Sequence, residues 1–273
     1  MSEVTVTTRS VTTAKGIKGD VHVRGSGDPI LFLHGAAGML ADEPMLDDLA
    51  SDHTVYAPEW PGYGEDETEL FVEDMLDFAL HGWDLVDELD LGRPAVVGHS
   101  MGGMIAAEMA CLARRDLSHL VLIDAFGLWD DDLAIPDIFA MTPFEMPSAL
   151  FADASAGEAL LTAGLDFGSD EALTDFMVSS ARQLGTAGKI MFPIPNRRVA
   201  KRLYRLTAPT LVLWGAQDAL TAPGYADLWS QQIPHAEVEL IEGAGHMLPY
   251  EQPTAASDAI RSFLSLDSGH RGP

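Results

Sequence analysis

Short apolar runs alternate along this chain with longer segments in which apolar residues recur at helical spacing. Residues 4–33 have an extended pattern, in which "VTVTT" and "DVHVRGSG" predict a hairpin and "PILFLHG" predicts a buried third strand. Further runs with the length of buried strands lie at 54–58, 94–98, 117–124, 209–215 and 236–243. Helical patterns fill most of the intervals, at 43–51, 71–90, 100–114, 223–232 and 254–265.

This order of strands and helices predicts an α/β fold. Because strand and helix alternate, we expect a mostly parallel eight-stranded sheet with helices on both faces. The alternation stops between residues 123 and 209, where helical patterns and loops contain no strand pattern. We therefore predict a helical cap inserted after the sixth strand. Residues 1–126 and 208–273 would form the core domain, and residues 127–207 the cap.

The charge of the chain limits the kinds of partner it can bind. Acidic residues number 42 against 16 basic ones, which gives a formal net charge of −26. Nucleic acids and anionic membrane surfaces require clustered Lys and Arg, so we expect neither as a partner. Hydrophobic residues make up 47% of the chain, enough for a packed core, and the excess acid is interpreted as a solvated surface.

The cysteine content and the lengths of the apolar runs argue against disulfide-linked, zinc-binding, secreted and membrane-spanning proteins. Cys111 is the single cysteine, so a disulfide within the chain is impossible and we expect no structural zinc site. The amino-terminal residues have no apolar segment of the signal-peptide type, and no uncharged run approaches the roughly 18 residues of a membrane span. We expect a soluble cytoplasmic protein with a small-molecule substrate, no metal and no cofactor. The sequence leaves a homodimer open.

The stretch "GHSMG", residues 98–102, predicts a nucleophile. A buried-strand run precedes it and a helical pattern follows it, which is the context in which G-x-S-x-G forms a sharp turn. Gly98 and Gly102 allow neighbouring backbone to approach, and the turn places Ser100 at a helix N-terminus, where negative charge is favoured. Ser100 is therefore the candidate nucleophile.

A serine hydroxyl needs an imidazole to take its proton and a carboxylate to hold that imidazole. His99 lies in the same turn and points in another direction, so it is not the expected base. His246 follows the last apolar strand on a Gly-rich loop and is the candidate base. For the acid, Asp218 and Asp124 both follow strands. The chain order Ser, Asp, His favours Asp218, with Asp124 as the alternative.

An oxyanion hole requires two backbone N–H groups beside the nucleophile. We expect one from Met101, the residue after the serine, and the other from Ala36 in "LFLHGAAG". His34 in the same stretch is expected to shape the loop rather than to act chemically.

Several more side chains are candidates for lining the pocket or contacting the substrate. They are His34, Trp60, His99, Phe139, Phe144 and Met247. Arg197 and Arg198, near the end of the cap, could anchor a substrate carboxylate or diketone oxygen, although exposure or pairing with acids is the simpler interpretation.

Five motifs occur in a characteristic order: "HGAAG" (34–38), "PEWPGYG" (58–64), "GHSMGG" (98–103), "WGAQD" (214–218) and "GAGHMLPYEQP" (243–253). Together they resemble the serine-nucleophile branch of the α/β-hydrolase fold superfamily, over nearly the whole chain. The resemblance implies a Ser-Asp-His triad and an esterase-like enzyme with a helical cap. It does not identify the substrate.

The leading hypothesis is a serine hydrolase that cleaves an ester or related carbonyl bond of a small to medium apolar substrate through an acyl-enzyme. Similar proteins include lactonases, perhydrolases and hydrolases of carbon–carbon bonds in ring-cleavage products. The last group usually has Trp after the catalytic histidine, where this chain has Met247. Because some relatives are small-molecule receptors, a non-enzymatic receptor is the second hypothesis.

Overall fold

The computed structural model describes residues 4–40, 42–64, 68–142, 145–162, 169–194 and 198–266. The described strands form one sheet and are β1 (Val6–Thr12), β2 (Lys18–Gly25), β3 (Asp28–Leu33), β4 (His53–Pro58), β5 (Ala95–His99), β6 (Leu120–Ile123), β7 (Thr210–Gly215) and β8 (Glu237–Ile241). Their spatial order is β1-β2-β4-β3-β5-β6-β7-β8. β2 runs antiparallel to both of its neighbours, and β3 to β8 are mutually parallel, which confirms the predicted eight-stranded sheet.

The described helices connect the parallel strands and build the cap. They are α1 (Pro44–Leu49), α2 (Met75–Glu88), α3 (Met101–Leu112), α4 (Met146–Leu150), α5 (Ala154–Leu161), α6 (Asp170–Met191), α7 (Gly224–Gln232), α8 (Leu248–Glu251) and α9 (Pro253–Leu266). Short 3-10 turns add Thr68–Phe71, Val199–Lys201 and Leu203–Arg205. None of the helices in these described ranges is long and apolar enough to cross a membrane.

Two buried clusters lie on the two faces of the sheet, because successive side chains of a strand point to opposite sides. In β3, Ile30 and Phe32 pack in the cluster that contains α1 and α9. Leu31 and Leu33 pack in the other cluster, with α2, α3 and α7. Each such buried side chain contributes about 1.5–3 kcal/mol relative to exposure. Continuous apolar runs in the central strands therefore predict helices on both faces correctly.

Helix α2 begins later than its apolar pattern suggests. The predicted segment starts at residue 71, whereas the helix starts at Met75. Asp74 is its N-cap, and its carboxylate accepts hydrogen bonds from the amides of Leu76 and Asp77. A capping side chain satisfies amides that have no partner inside the helix, so the cap rather than the apolar pattern determines where the helix starts.

The cap helices α4 to α6 follow β6, as predicted, and their chain returns to the sheet at β7. Only the last part of α6 is buried, including Thr186, Ile190 and Met191. Lys189 of α6 donates to the backbone carbonyl of Val72 at 2.8 Å, which anchors this end of the helix to the core. The assignment of residues 127–207 to a separate cap domain stays a prediction.

Candidate active site

Ser100 lies in a strained turn between β5 and α3. Its backbone has φ 56° and ψ −117°, a conformation that is uncommon for a residue with a side chain. The turn is held by a hydrogen bond from the Ser100 amide to the carbonyl of Ile123 in β6, at 2.8 Å. A Cβ on Gly102 would collide with the carbonyl of Leu33, and one on Gly98 would collide with Gly102 itself. The two glycines are therefore required for the close approach of these segments.

The structure brings the three predicted triad residues together in a buried series of hydrogen bonds. His246 Nε2 lies 2.9 Å from Ser100 Oγ, and His246 Nδ1 lies 2.8 Å from Asp218 Oδ2. All three side chains are at most 4% exposed. An imidazole between a hydroxyl and a carboxylate can take a proton on one nitrogen while the other stays hydrogen-bonded to the carboxylate.

Thr221 provides two of the hydrogen bonds that hold the Asp218 carboxylate in place. The Asp218 Oδ1 atom accepts hydrogen bonds from the amides of Leu220 and Thr221, both at 2.8 Å. The Thr221 hydroxyl donates to Asp218 Oδ2 at 2.7 Å and also lies 3.1 Å from His246 Nδ1. Thr221 was not among the sequence candidates. Its signal is local, because an Asp whose carboxylate accepts from the amides two and three residues later is a recurrent turn motif.

Asp124, the alternative acid, is fully buried at the end of β6 but has no hydrogen bond to His246. One of its carboxyl oxygens accepts from the Gly215 amide at 2.8 Å, and the other has no hydrogen-bond partner among the described residues. Burial, and after it the negative charge of Asp218, raise the pKa of Asp124 well above its ordinary value. This environment favours the neutral acid, which cannot act as the anionic partner of an imidazole.

The predicted oxyanion donors flank the serine. Gly35 is so close that a Cβ on it would lie 3.0 Å from Ser100 Cβ, and the next amide is that of Ala36. The Ala36 carbonyl is fixed from the other side, where the Tyr63 hydroxyl donates to it at 3.0 Å. Within the described part of the chain, neither the Ala36 nor the Met101 amide donates a hydrogen bond. Both N–H groups are thus available to a ligand oxygen.

His34 holds the loop that carries Ala36. Its Nδ1–H donates to the Gly35 carbonyl at 2.8 Å, while its Nε2 accepts from the Trp60 amide at 3.2 Å. The Gly35 carbonyl and the Ala36 amide belong to the same planar peptide, so this contact also orients the amide. Burial lowers the pKa of His34 to about 4, and the ring is neutral at pH 7. The contacts of His34 are thus with the loop, and its role in shaping that loop stays a prediction.

His99 supports the catalytic loop rather than the serine. Its Nε2–H donates to the backbone carbonyl of His246 at 2.7 Å, and the two rings lie 5.5 Å apart. Burial, followed by the nearby His246 ring, lowers the pKa of His99 to about 3. Phe126, which was not among the sequence candidates, also places its ring edge-on to His246, with the ring centres 5.7 Å apart. The His246 imidazole therefore contacts two other rings.

Two of the expected pocket residues are buried structural side chains. Trp60 is 1% exposed and packs against the rings of Phe78 and His81. Met247 is 2% exposed, and its amide donates to the Leu150 carbonyl in the cap at 3.0 Å. Substrate contact by either stays a prediction.

The cap candidates are only partly described. Phe139 is half-buried and stacks edge-on against Phe192 at 5.9 Å. Arg198 is exposed. Phe144 and Arg197 lie outside the described residues. The described ranges also contain no group of three or more His, Cys, Asp or Glu side chains arranged to hold a metal ion.

Comparison with known proteins agrees with this fold. Esterase YbfF of Escherichia coli is 25% identical over 251 residues, which cover 88% of this chain and 94% of that protein. The structure of a thermophilic esterase from Thermogutta terrifontis is 25% identical, with a TM-score of 0.69 and coverage of 95% of this chain and 98% of that one. A meta-cleavage product hydrolase from Pseudomonas fluorescens is similar in fold, with 20% identity, a TM-score of 0.70 and coverage of 94% and 97%. Residues 30–259 match the model of the Alpha/beta hydrolase family, and the chain belongs to that family.

Proposed function

We propose that this protein is a serine hydrolase that cleaves an ester or related carbonyl bond of a small to medium apolar substrate. The observation that carries the proposal is the buried hydrogen-bonded series from Ser100 through His246 to Asp218. A hydroxyl in such a series becomes nucleophilic because its proton passes to the imidazole as it attacks.

The mechanism uses each group at a defined step. Ser100 Oγ attacks the substrate carbonyl while its proton moves to His246 Nε2, and Asp218 stabilises the imidazolium. The Ala36 and Met101 amides stabilise the developing oxyanion, each contributing roughly 10²- to 10³-fold to kcat. His246 then donates the proton to the leaving alcohol as the carbon–oxygen bond breaks. Water, deprotonated by His246, attacks the acyl-enzyme, and the acid product and free Ser100 form.

The apolar preference is inferred from cap side chains that share a buried apolar cluster with residues next to the triad. Ile135, Ile138 and Met191 belong to the same cluster as Met101 and Phe126. An acyl chain that packs against such side chains would lose little hydrogen bonding and would gain apolar contact.

Covalent labelling tests the proposal. The native enzyme should react with a fluorophosphonate at Ser100 and turn over short p-nitrophenyl esters. Ser100→Ala should lose all labelling, and His246→Ala should lower kcat by as much as about 10⁶-fold. A native enzyme that neither labels nor hydrolyses esters would defeat the proposal.

Turnover measurements with esters and ring-cleavage diketones distinguish the proposed function from the other candidates. A carbon–carbon hydrolase would consume ring-cleavage diketones faster than esters, whereas a receptor would bind a ligand saturably with at most trace turnover. Met247 after the histidine favours the ester reaction, because the similar carbon–carbon hydrolases usually have Trp there.

A further inference from the structure

Hydrogen bonds connect the segment that carries His246 to the cap on both sides of the histidine, directly after it and through Glu251 before it. After it, the Met247 amide donates to the Leu150 carbonyl at 3.0 Å. Before it, the Gly245 amide donates to Glu251 Oε2 at 2.7 Å. The second oxygen of Glu251, Oε1, accepts from the Ala152 amide in the cap at 2.8 Å.

Glu251 thus joins two segments that are far apart in the sequence. Leu150 is the last residue of α4 and Ala152 lies in the link to α5, whereas Glu251 is the last residue of α8, directly after the loop that carries His246. Both carboxylate oxygens are used, one for each segment. Hydrogen bonds from amides to an ionised carboxylate are about twice as strong as bonds between neutral groups.

The backbone at this junction is in direct contact. A Cβ on Gly245 would lie 2.8 Å from the Ala152 nitrogen and 3.0 Å from the Leu150 oxygen, so only glycine fits without displacing the cap. A groove of about 430 Å³ next to this junction is lined by Ala156 and Leu160 of α5 and by Gly243, Tyr250 and Glu251.

We propose that Glu251 is a positioning residue that couples the seating of the cap to the placement of His246. When the α4–α5 link is in place, Glu251 holds the amide that precedes the histidine, and the imidazole stays within reach of Ser100. Displacement of the link releases the Ala152 contact and the Leu150 contact together, and the histidine loop loses its outer support. His246 is therefore best placed to accept the Ser100 proton when the cap is closed. The inference rests on the proposed serine-hydrolase function.

Two variants of Glu251 separate this role from general stability. Glu251→Gln keeps the shape but leaves only one acceptor oxygen, and Glu251→Ala removes both. We expect amide hydrogen exchange at both Ala152 and Gly245 to rise in both variants. Ester kcat and the fluorophosphonate labelling rate should fall by roughly 10- to 100-fold in Glu251→Ala, because small misplacements of catalytic groups have effects of that size. KM should change less than about threefold. In Glu251→Gln, kcat and the labelling rate should lie between those of the native enzyme and those of Glu251→Ala.

The matched control is Glu145→Gln. Glu145 accepts hydrogen bonds from the amide and hydroxyl of Thr142, so it supports the cap locally but does not contact the histidine loop. This variant should keep native labelling, kcat and exchange at Gly245.

The outcomes distinguish the two proposals. A native enzyme that neither labels nor hydrolyses esters defeats the proposed function and the catalytic half of this inference. A native enzyme that is labelled, with folded Glu251 variants labelled at the same rate, overturns only the coupling through Glu251. Raised exchange at Ala152 with native exchange at Gly245 also overturns it, because the two amides would then open independently. Circular dichroism melts establish folding, and Glu251→Gln remains the test if Glu251→Ala does not fold.

Discussion

At the scale of single residues, the two buried aspartates next to the site differ in the hydrogen-bond partners that surround them. Asp218 accepts hydrogen bonds from two amides and a hydroxyl, and its Oδ2 lies 2.8 Å from His246 Nδ1. Asp124 accepts one amide and lies in an environment that raises its pKa. The hydrogen-bond donors around each carboxyl group thus favour Asp218 over Asp124 as the acid of the triad. Their positions at strand ends do not distinguish them.

Exchange of each carboxyl for its amide tests this difference. Asp218→Asn should lower ester kcat by about 10⁴-fold, because the amide cannot stabilise the imidazolium or hold the correct tautomer. In Asp124→Asn, ester kcat should stay within about threefold of the native value. The amide oxygen can still accept a hydrogen bond from the Gly215 amide, and no charge is lost. Steady-state kinetics of both variants and the native enzyme with one ester measures these changes in kcat. Equal losses in the two variants would contradict the assignment.

Thr221 and Glu251 show where residue-level prediction stops. Ser100, His246 and Asp218 carry motif context in the sequence, whereas the functional contacts of Glu251 depend on a cap amide 99 residues away. A glutamate at the end of a short helix is equally compatible with a solvated surface. Only the folded backbone brings the Ala152 amide to it, so no local pattern predicts this contact.

At the scale of helices and strands, periodicity predicts the core better than the cap. The central strands β5, β6 and β7 are buried along their whole length because both faces of each are covered, whereas most of the edge strand β8 is exposed. The cap helices pack partly on one another and on loops. In α6 the residues Met177 and Val178 are 62% and 63% exposed, although apolar content alone predicts burial. Composition therefore indicates a helical cap but not which of its faces covers the site.

Two glycines in the cap give a test at this scale. A Cβ on Gly157 in α5 would overlap the ring of Phe151, so Gly157→Ala should destabilise the protein by about 1–3 kcal/mol. Gly185 in α6 is exposed and has nothing within 4 Å of an added Cβ. Gly185→Ala should therefore stabilise it by up to about 1 kcal/mol. Urea unfolding measures both, and a stabilising Gly157→Ala would contradict the packing described for α5.

At the scale of the whole molecule, buried histidines make stability depend on pH. Burial lowers the pKa of His81 from 6.5 to about 4. Between these values the unfolded chain binds a proton that the folded chain does not, so stability rises with pH across this window. His34 and His99 act in the same direction. Glu43, whose pKa burial raises to about 7, acts in the opposite direction above pH 4.5.

His81→Phe isolates one of these contributions. The stability difference between pH 7 and pH 5 should be smaller in the variant than in the native protein by about 2 kcal/mol, because one proton-linked term is removed while the others cancel in the comparison. Urea unfolding of both proteins at the two pH values provides the measurement. An unchanged difference would show that His81 titrates alike in the folded and unfolded chains.

The position of the triad in the sheet has a consequence for the newly made chain. Ser100 follows β5, but its base lies 146 residues later, beyond β8. The ribosome releases the amino-terminal portion first, and that portion begins to fold while the remainder is still being added. During this interval Ser100 has no hydrogen bond to His246. Under the proposed mechanism, its hydroxyl is therefore activated only after His246 has left the exit tunnel.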